Sequence, residues 1–274
     1  MEPFMQSMLK VFGITLVRYF VIAGIPFLIF YIFFSKQFSR SKIQARVAGK
    51  KDFVREIVHS LGTGLILAAT GCAVLFTPLR DHTLVYKNLN DYPTWWIPVS
   101  LLMSLVIHDT YFYWMHRMMH HKSIFKYTHL VHHQSTNPSP WSSYSFHLLE
   151  AIVEGCIVLV LAFILPMHSL TLVLFVVLGF MINVYGHLGY EIMPRGLRNS
   201  FLFQVINTSV YHNLHHSKFK GNYSLYFRWW DKWMGTENPD YEKEYDRIQA
   251  NRFNKKEKNQ AGIIQPQEPV LAEY

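Results

Sequence analysis

Fifteen histidines are spread over the 274-residue chain, and most stand in three short clusters. The first is His116 and His120, with His121 adjoining; the second is His129, His132 and His133; the third is His212, His215 and His216. Residues three and four apart share a helix face, so each cluster aims two or three imidazoles in one direction. Neutral imidazole is the commonest protein metal ligand. One such pair alone is more often a surface or core feature. Together the clusters supply eight candidate ligands: His116, His120, His129, His132, His133, His212, His215 and His216. A first-row metal ion rarely takes more than about six, so eight convergent imidazoles fit two ions better than one. Imidazole suits iron, zinc, copper and nickel alike, and the donor set leaves the metal open. His121 lies one step off the first face and is expected to be an outer neighbour or exposed.

Other chemistry is narrowed by what the chain lacks. Its two cysteines, Cys72 and Cys156, sit in apolar stretches and form no CxxC, so metal ligation must come from nitrogen and oxygen. Without an HExxH, a zinc-dependent membrane hydrolase is the second reading rather than the first. A metal-binding membrane protein without oxygenase activity is the third. It would place ligands along a path inside the spans, whereas these clusters lie beyond them. A redox pair of metals could instead activate O2 against an unactivated C–H bond. The chain shows no nicotinamide, haem or iron–sulfur motif of its own, so a separate electron donor is implied. Its formal charge of +8 suits an acidic partner. No nucleic-acid-binding motif appears, and no nucleic-acid partner is expected.

The elements that must hold the clusters read as membrane helices. Half of the residues are hydrophobic and only 16% are charged, against roughly a quarter in soluble domains. Tyr19–Ser35 carries no charge, and extension back to Val11 adds only Arg18. No small-residue cleavage site follows, so a retained anchor is expected. Ile57–Leu79 is likewise uncharged, a third span runs from Trp95 and Trp96 to about Tyr113, and Ser145–Tyr190 holds either two spans or a shallow re-entrant pair turning near Pro166. A span needs ~20 apolar residues. The fold expected is thus all-α: a membrane helical bundle of about four to five spans under a cytoplasmic histidine-rich cap. Lys36, Arg40, Lys42, Arg46, Lys50 and Lys51 mark the loop after the first span as cytoplasmic. Alternation then puts all three clusters on that same face. The domains expected are an N-terminal transmembrane region (1–94), a histidine-box catalytic domain (95–240) and a polar C-terminal tail (241–274), loosely ordered beyond Asp246.

The run from His108 through His116 and His120, the HxxHH at 129–133 and the HxxHH at 212–216 resemble the fatty acid hydroxylase and sterol desaturase superfamily. Trp141–His147, Asn222–Ser224 and Trp230–Thr236 resemble its linking segments. The likeness covers roughly residues 95 to 240. It implies two iron ions, with zinc as a substituting metal, held by the eight box histidines. His187, four residues after Asn183, resembles a further ligand position of the superfamily. His147 stands where relatives often have His-Pro and is carried as a candidate ligand. The likeness also implies O2 as co-substrate, a sterol-like or fatty lipid to be hydroxylated or desaturated, and a donor of ferredoxin or cytochrome b5 type. A bacterial inner membrane and the endoplasmic reticulum both suit such a chain. Two acids are candidates to orient ligands from behind. Asp109 lies about two helical turns before His116, and Asp231 follows the third box; capping is the alternative role for each.

Overall fold

The computed structural model describes residues 2–46 and 48–253. Five long helices form a bundle: α1 (Glu2–Phe27), α2 (Lys50–Phe76), α3 (Trp96–Met119), α6 (Leu148–Ile164) and α7 (Ser169–Gly186). Between α3 and α6 lie two one-turn helices, α4 (Phe125–Thr128) and α5 (Leu130–His133). After α7 come α8 (Phe201–Val205), α9 (Ser209–Lys218), α10 (Trp229–Trp233) and α11 (Tyr241–Phe253). The described sheet is a single parallel pairing of β1 (Val85–Tyr86) with β2 (Met167–His168).

Apolar length makes the long helices. Among the described residues, Phe4–Phe33, Lys50–Phe76 and Ser169–Gly186 are long and apolar enough to cross a membrane. The first buries little of its surface: Leu9, Ile14, Val17, Val21 and Ile25 all face outward. A helix apolar all round yet unburied belongs in lipid. Pro26 has no N–H to donate, and α1 widens past it into a π-helical segment, Leu28–Phe33. The second helix starts earlier than its uncharged run. Its first turns carry Asp52, Arg55 and Glu56, with Asp52 Oδ2 accepting from Gly49 N at 2.9 Å. The third runs past Tyr113 to Met119 and so includes His116. α6 has 17 residues, about 26 Å of helix against ~30 Å of hydrocarbon. The turn to α7 falls at Leu165–His168, where the sequence expects it.

Side-chain contacts fix the directions. Tyr31, beyond the end of α1, meets Phe53 at the start of α2. The α3–α7 pair touches at Ser100–Thr171, near both N-termini. So α1, α3 and α7 run toward one end of the bundle while α2 and α6 run away from it. At that end lie His116, His187, Glu56 and Glu150. The short helices α4, α5 and α9 close over it. One apolar core joins α3, α6 and α7 through Leu105, Leu161 and Phe175; a second lies under α1 and α2 around Tyr19, Tyr144 and Phe180.

The expected loose tail is corrected in part. Tyr241–Phe253 is a helix whose Tyr241, Tyr245 and Ile248 pack on Val210, Tyr211 and Leu214 of α9. Tyrosines at that spacing gave α11 a buried face despite its polar composition. The rest of the expected tail, 254–274, lies outside the described residues.

Candidate metal centre

Nine imidazoles converge in two adjoining groups: His116, His120, His129, His133 and His215 in one, His132, His187, His212 and His216 in the other. Within each group the ring nitrogens lie within 4.8 Å of one another. In the first, Nε2 of His116 is 2.9 Å from Nε2 of His129, and Nε2 of His215 is 3.0 Å from His133 and 3.2 Å from His120. In the second, Nε2 of His187 is 3.0 Å from His212 and 3.2 Å from both His132 and His216. The rings of His133 and His216 stack across the seam at 4.9 Å.

Tautomers show what these contacts are. A carbonyl oxygen only accepts, so Nδ1 must carry the proton where it meets one. This holds for His116 on Tyr223 O at 2.7 Å, His215 on Gly221 O at 2.7 Å and His187 on Asn183 O at 2.8 Å. In each of these neutral rings Nε2 is therefore a lone pair. His129 Nδ1 meets Glu150 Oε1 at 2.6 Å. Nε2 of His215, His133 and His120 lie 3.0, 3.1 and 3.2 Å from one another, and no choice of tautomers makes all three pairs donor to acceptor, so at least one pair repels unless a cation lies among them. Two nitrogens each ~2.1 Å from one ion would be about 3.0 Å apart at right angles and about 3.4 Å apart in a tetrahedron. The observed separations match the right-angled case, and the residues fit two imidazole-bound cations.

Burial tunes the rings for this. Loss of water pushes His132, His133, His212 and His216 well below the usual imidazole range, with neighbouring histidines adding to the effect. His187 and His215 are pushed down to about 4, chiefly by burial, with a carbonyl partner opposing it in each. The rings stay neutral and ready to ligate at pH 7. Unfolded imidazoles titrate near ~6.5, above the folded values, so the unfolded chain takes up protons first as pH falls. Stability from these groups is whole above about pH 6.5 and is lost as pH drops toward about 4. Metal-free protein titrated from pH 7 to pH 5 should therefore show a falling melting temperature. A flat profile across that interval would contradict buried neutral rings.

The backbone around the rings is built for its task. Phe219, Gly221 and Asn222 all take positive φ, at 60°, 78° and 53°, which is uncommon outside glycine. This turn brings Gly221 O onto His215. A Cβ on Gly221 would stand 2.6 Å from Thr236 O, so glycine is required there. Asp231 Oδ1 and Oδ2 accept from Tyr223 N and Ser224 N at 2.9 and 2.8 Å, and so fix the carbonyl that orients His116. Asp109 touches no imidazole; of the two roles weighed for it, direct partner of His116 is not the one its contacts give. Its Oδ1 accepts from Leu225, Tyr226 and Phe227 N at 3.0, 2.6 and 3.3 Å, holding the same segment. Two histidine candidates fall outside both groups. His147 caps α6 by accepting from Leu149 N, and His121 is exposed with Nδ1 accepting from Ser123 N.

Sequence reasoning gave no site role to three buried acids. Glu150 backs His129. Glu56 accepts from Ser135 Oγ and Ser139 Oγ at 2.7 and 2.6 Å, pinning the exit of the second box. Glu191 Oε1 accepts from Tyr185 Oη and Met193 N, both at 2.9 Å. The available signal was an acid beside or inside an apolar run, which is costly unless paired.

The fatty acid hydroxylase family matches residues 101–236, which hold all nine converging histidines. The chain belongs to the fatty acid hydroxylase and sterol desaturase superfamily. Within the superfamily it is 34% identical to a Delta(7)-sterol 5(6)-desaturase of Gibberella zeae, over 58% of this chain and 47% of that one. It is 30% identical to lathosterol oxidase of Mus musculus, over 68% of this chain and 62% of the relative. It is 31% identical to methylsterol monooxygenase 1 of Gallus gallus, over 54% and 49%. This chain thus aligns with about half to three fifths of those relatives' lengths. No solved structure matches it.

Proposed function

We propose that this chain is a membrane lipid oxidase that uses O2 to hydroxylate or desaturate a sterol-like or fatty substrate at a centre of two iron ions. The carrying observation is the double imidazole group, five rings beside four, with Nε2 atoms gathered about 3 Å from one another in each. His116, His120, His129, His133 and His215 would hold one ion, and His132, His187, His212 and His216 the other. The ions, when bound, supply the electrons and Lewis acidity that activate O2. Hydroxylation consumes the C–H bond, O2, two electrons and two protons and yields an alcohol and water. Desaturation takes the same inputs, removes two hydrogens from carbon and yields an alkene and two waters. Either way two electrons must come from outside, from a donor of ferredoxin or cytochrome b5 type.

The protein's own part is to position and to exclude water. All the rings but His120 are buried. A narrow cleft of about 10 Å³, room for about one water, lined in part by Ile182, Asn183, Asn207, Thr208, His212 and Leu225, lies beside the four-ring group. Its lining carries no Asp, Glu, Lys or Arg. The histidine end would face the cytoplasm, from a bacterial inner membrane or the endoplasmic reticulum, as the basic loop at 36–51 directs. A zinc hydrolase would want a carboxylate aimed at the bound water, whereas the acid nearest the rings, Glu150, stands behind His129.

Metal analysis of protein purified in mild detergent tests this first. Two irons per chain, with O2- and reductant-dependent turnover of a sterol, are expected; supply of 18O2 should label the product if it is an alcohol. Protein that takes up no iron even on anaerobic reconstitution would refute the reading. So would turnover that continues without O2.

A further inference from the structure

The geometry points to Glu150 as the positioning residue that makes the two metal sites unequal, by holding His129 as an electron-rich ligand of the five-ring group. The assignment rests on the two-metal reading above. His116, His187 and His215 each give Nδ1–H to a neutral backbone carbonyl. His129 instead meets a carboxylate, at 2.6 Å, with the two side chains 2% and 1% exposed. A carboxylate behind an imidazole fixes its tautomer and raises its basicity toward the metal. Among the described residues no such acid meets His132, His187, His212 or His216. One ion would thus have five imidazoles, one of them carboxylate-backed. The other would have four, with the cleft at its side.

The competing role is a helix cap. Glu150 stands at the third position of α6 behind His147 at the N-cap, the spacing of a capping box. The backbone N–H of His147 also points to the Glu150 carboxyl as a capping donor. Yet the hydrogen bond formed is to His129, and Oε2 is buried with none. The other buried acids of this region behave differently. Glu56 grips two serines, and Asp109 and Asp231 grip backbone N–H groups. Those carboxylates secure chain segments, whereas that of Glu150 is directed to an imidazole.

Glu150→Gln keeps the shape and an acceptor oxygen but removes the charge. Wild-type protein is first loaded with iron-57 and titrated anaerobically against a competing chelator; binding of no iron there would refute the two-metal reading itself. Given two bound irons, the wild type should show two distinct Mössbauer quadrupole doublets. In Glu150→Gln, one iron should bind about 10- to 100-fold more weakly and its doublet alone should shift, with the melting temperature of metal-free protein kept. In a His129→Ala background the same substitution should change nothing further. A cap role would instead lower the melting temperature and leave both doublets in place. Wild-type affinities and both doublets unmoved in Glu150→Gln would overturn the assignment. Should Glu150→Gln not fold, Glu150→Asp, too short to keep the 2.6 Å contact, carries the test on the same two readouts: one weakened iron supports the assignment, and two unchanged irons reject it.

Discussion

His215→Ala is expected to bind one iron per chain instead of two and to lose turnover by more than about 100-fold. Loss of a partner behind a ligand costs roughly 10–100-fold, and loss of a ligand itself should exceed that. The ring of His215 is the hub of the five-ring group, with Nε2 in reach of both His120 and His133 and Nδ1 locked on Gly221 O. It is also fully buried, so a water ligand cannot readily take its place. The matched control is His147→Ala. That substitution removes a helix cap, worth ~1 kcal/mol, and should leave two irons and near-normal turnover. Iron content by mass spectrometry and turnover on the same preparations decide it. Two irons retained in His215→Ala would remove this residue from the ligand set.

The histidine spacing was legible because helix geometry is local. What spacing did not state is how the boxes divide. In the second box His129 and His133 join the five-ring group while His132 joins the other; in the third, His212 and His216 go to the four-ring group while His215 crosses over. The rule is visible once seen. At ~100° per residue, positions i and i+4 lie about 40° apart and point together, whereas the ring between them points elsewhere. His116 and His120 obey it as well. No local rule could find the acids. Glu150 serves a histidine 21 residues earlier, and Asp109 serves a segment more than 110 residues later. Those pairings exist only once α6 and α3 pack beside the cap. The start of α2 was misplaced for a related reason: its charged first turns break the apolar run, yet Glu56 is fully buried against Ser135 and Ser139.

Asp109→Ala should unfold much of what α3 supports. One oxygen of Asp109 receives three consecutive backbone N–H groups, those of Leu225, Tyr226 and Phe227, in a site where Asp109 is only 2% exposed. Alanine leaves these donors without that acceptor. An unsatisfied buried donor costs about 1–3 kcal/mol, so the loss reaches several kcal/mol against a total stability of ~5–15. For a chain of this size each kcal/mol moves the melting temperature by ~2–4 °C, and a fall of ~10 °C or more is expected. The damage should spread to the metal centre, because the segment freed by the substitution continues from Tyr223, whose carbonyl fixes the tautomer of His116. Iron content should therefore drop with the melting temperature. Asp109→Asn retains an acceptor oxygen and should lie between the two. The ranking Asp, Asn, Ala in both measurements is the signature of a carboxylate that acts by gathering backbone N–H groups. An alanine variant that melts with the wild type and keeps both irons would show that the segment holds its course without that anchor.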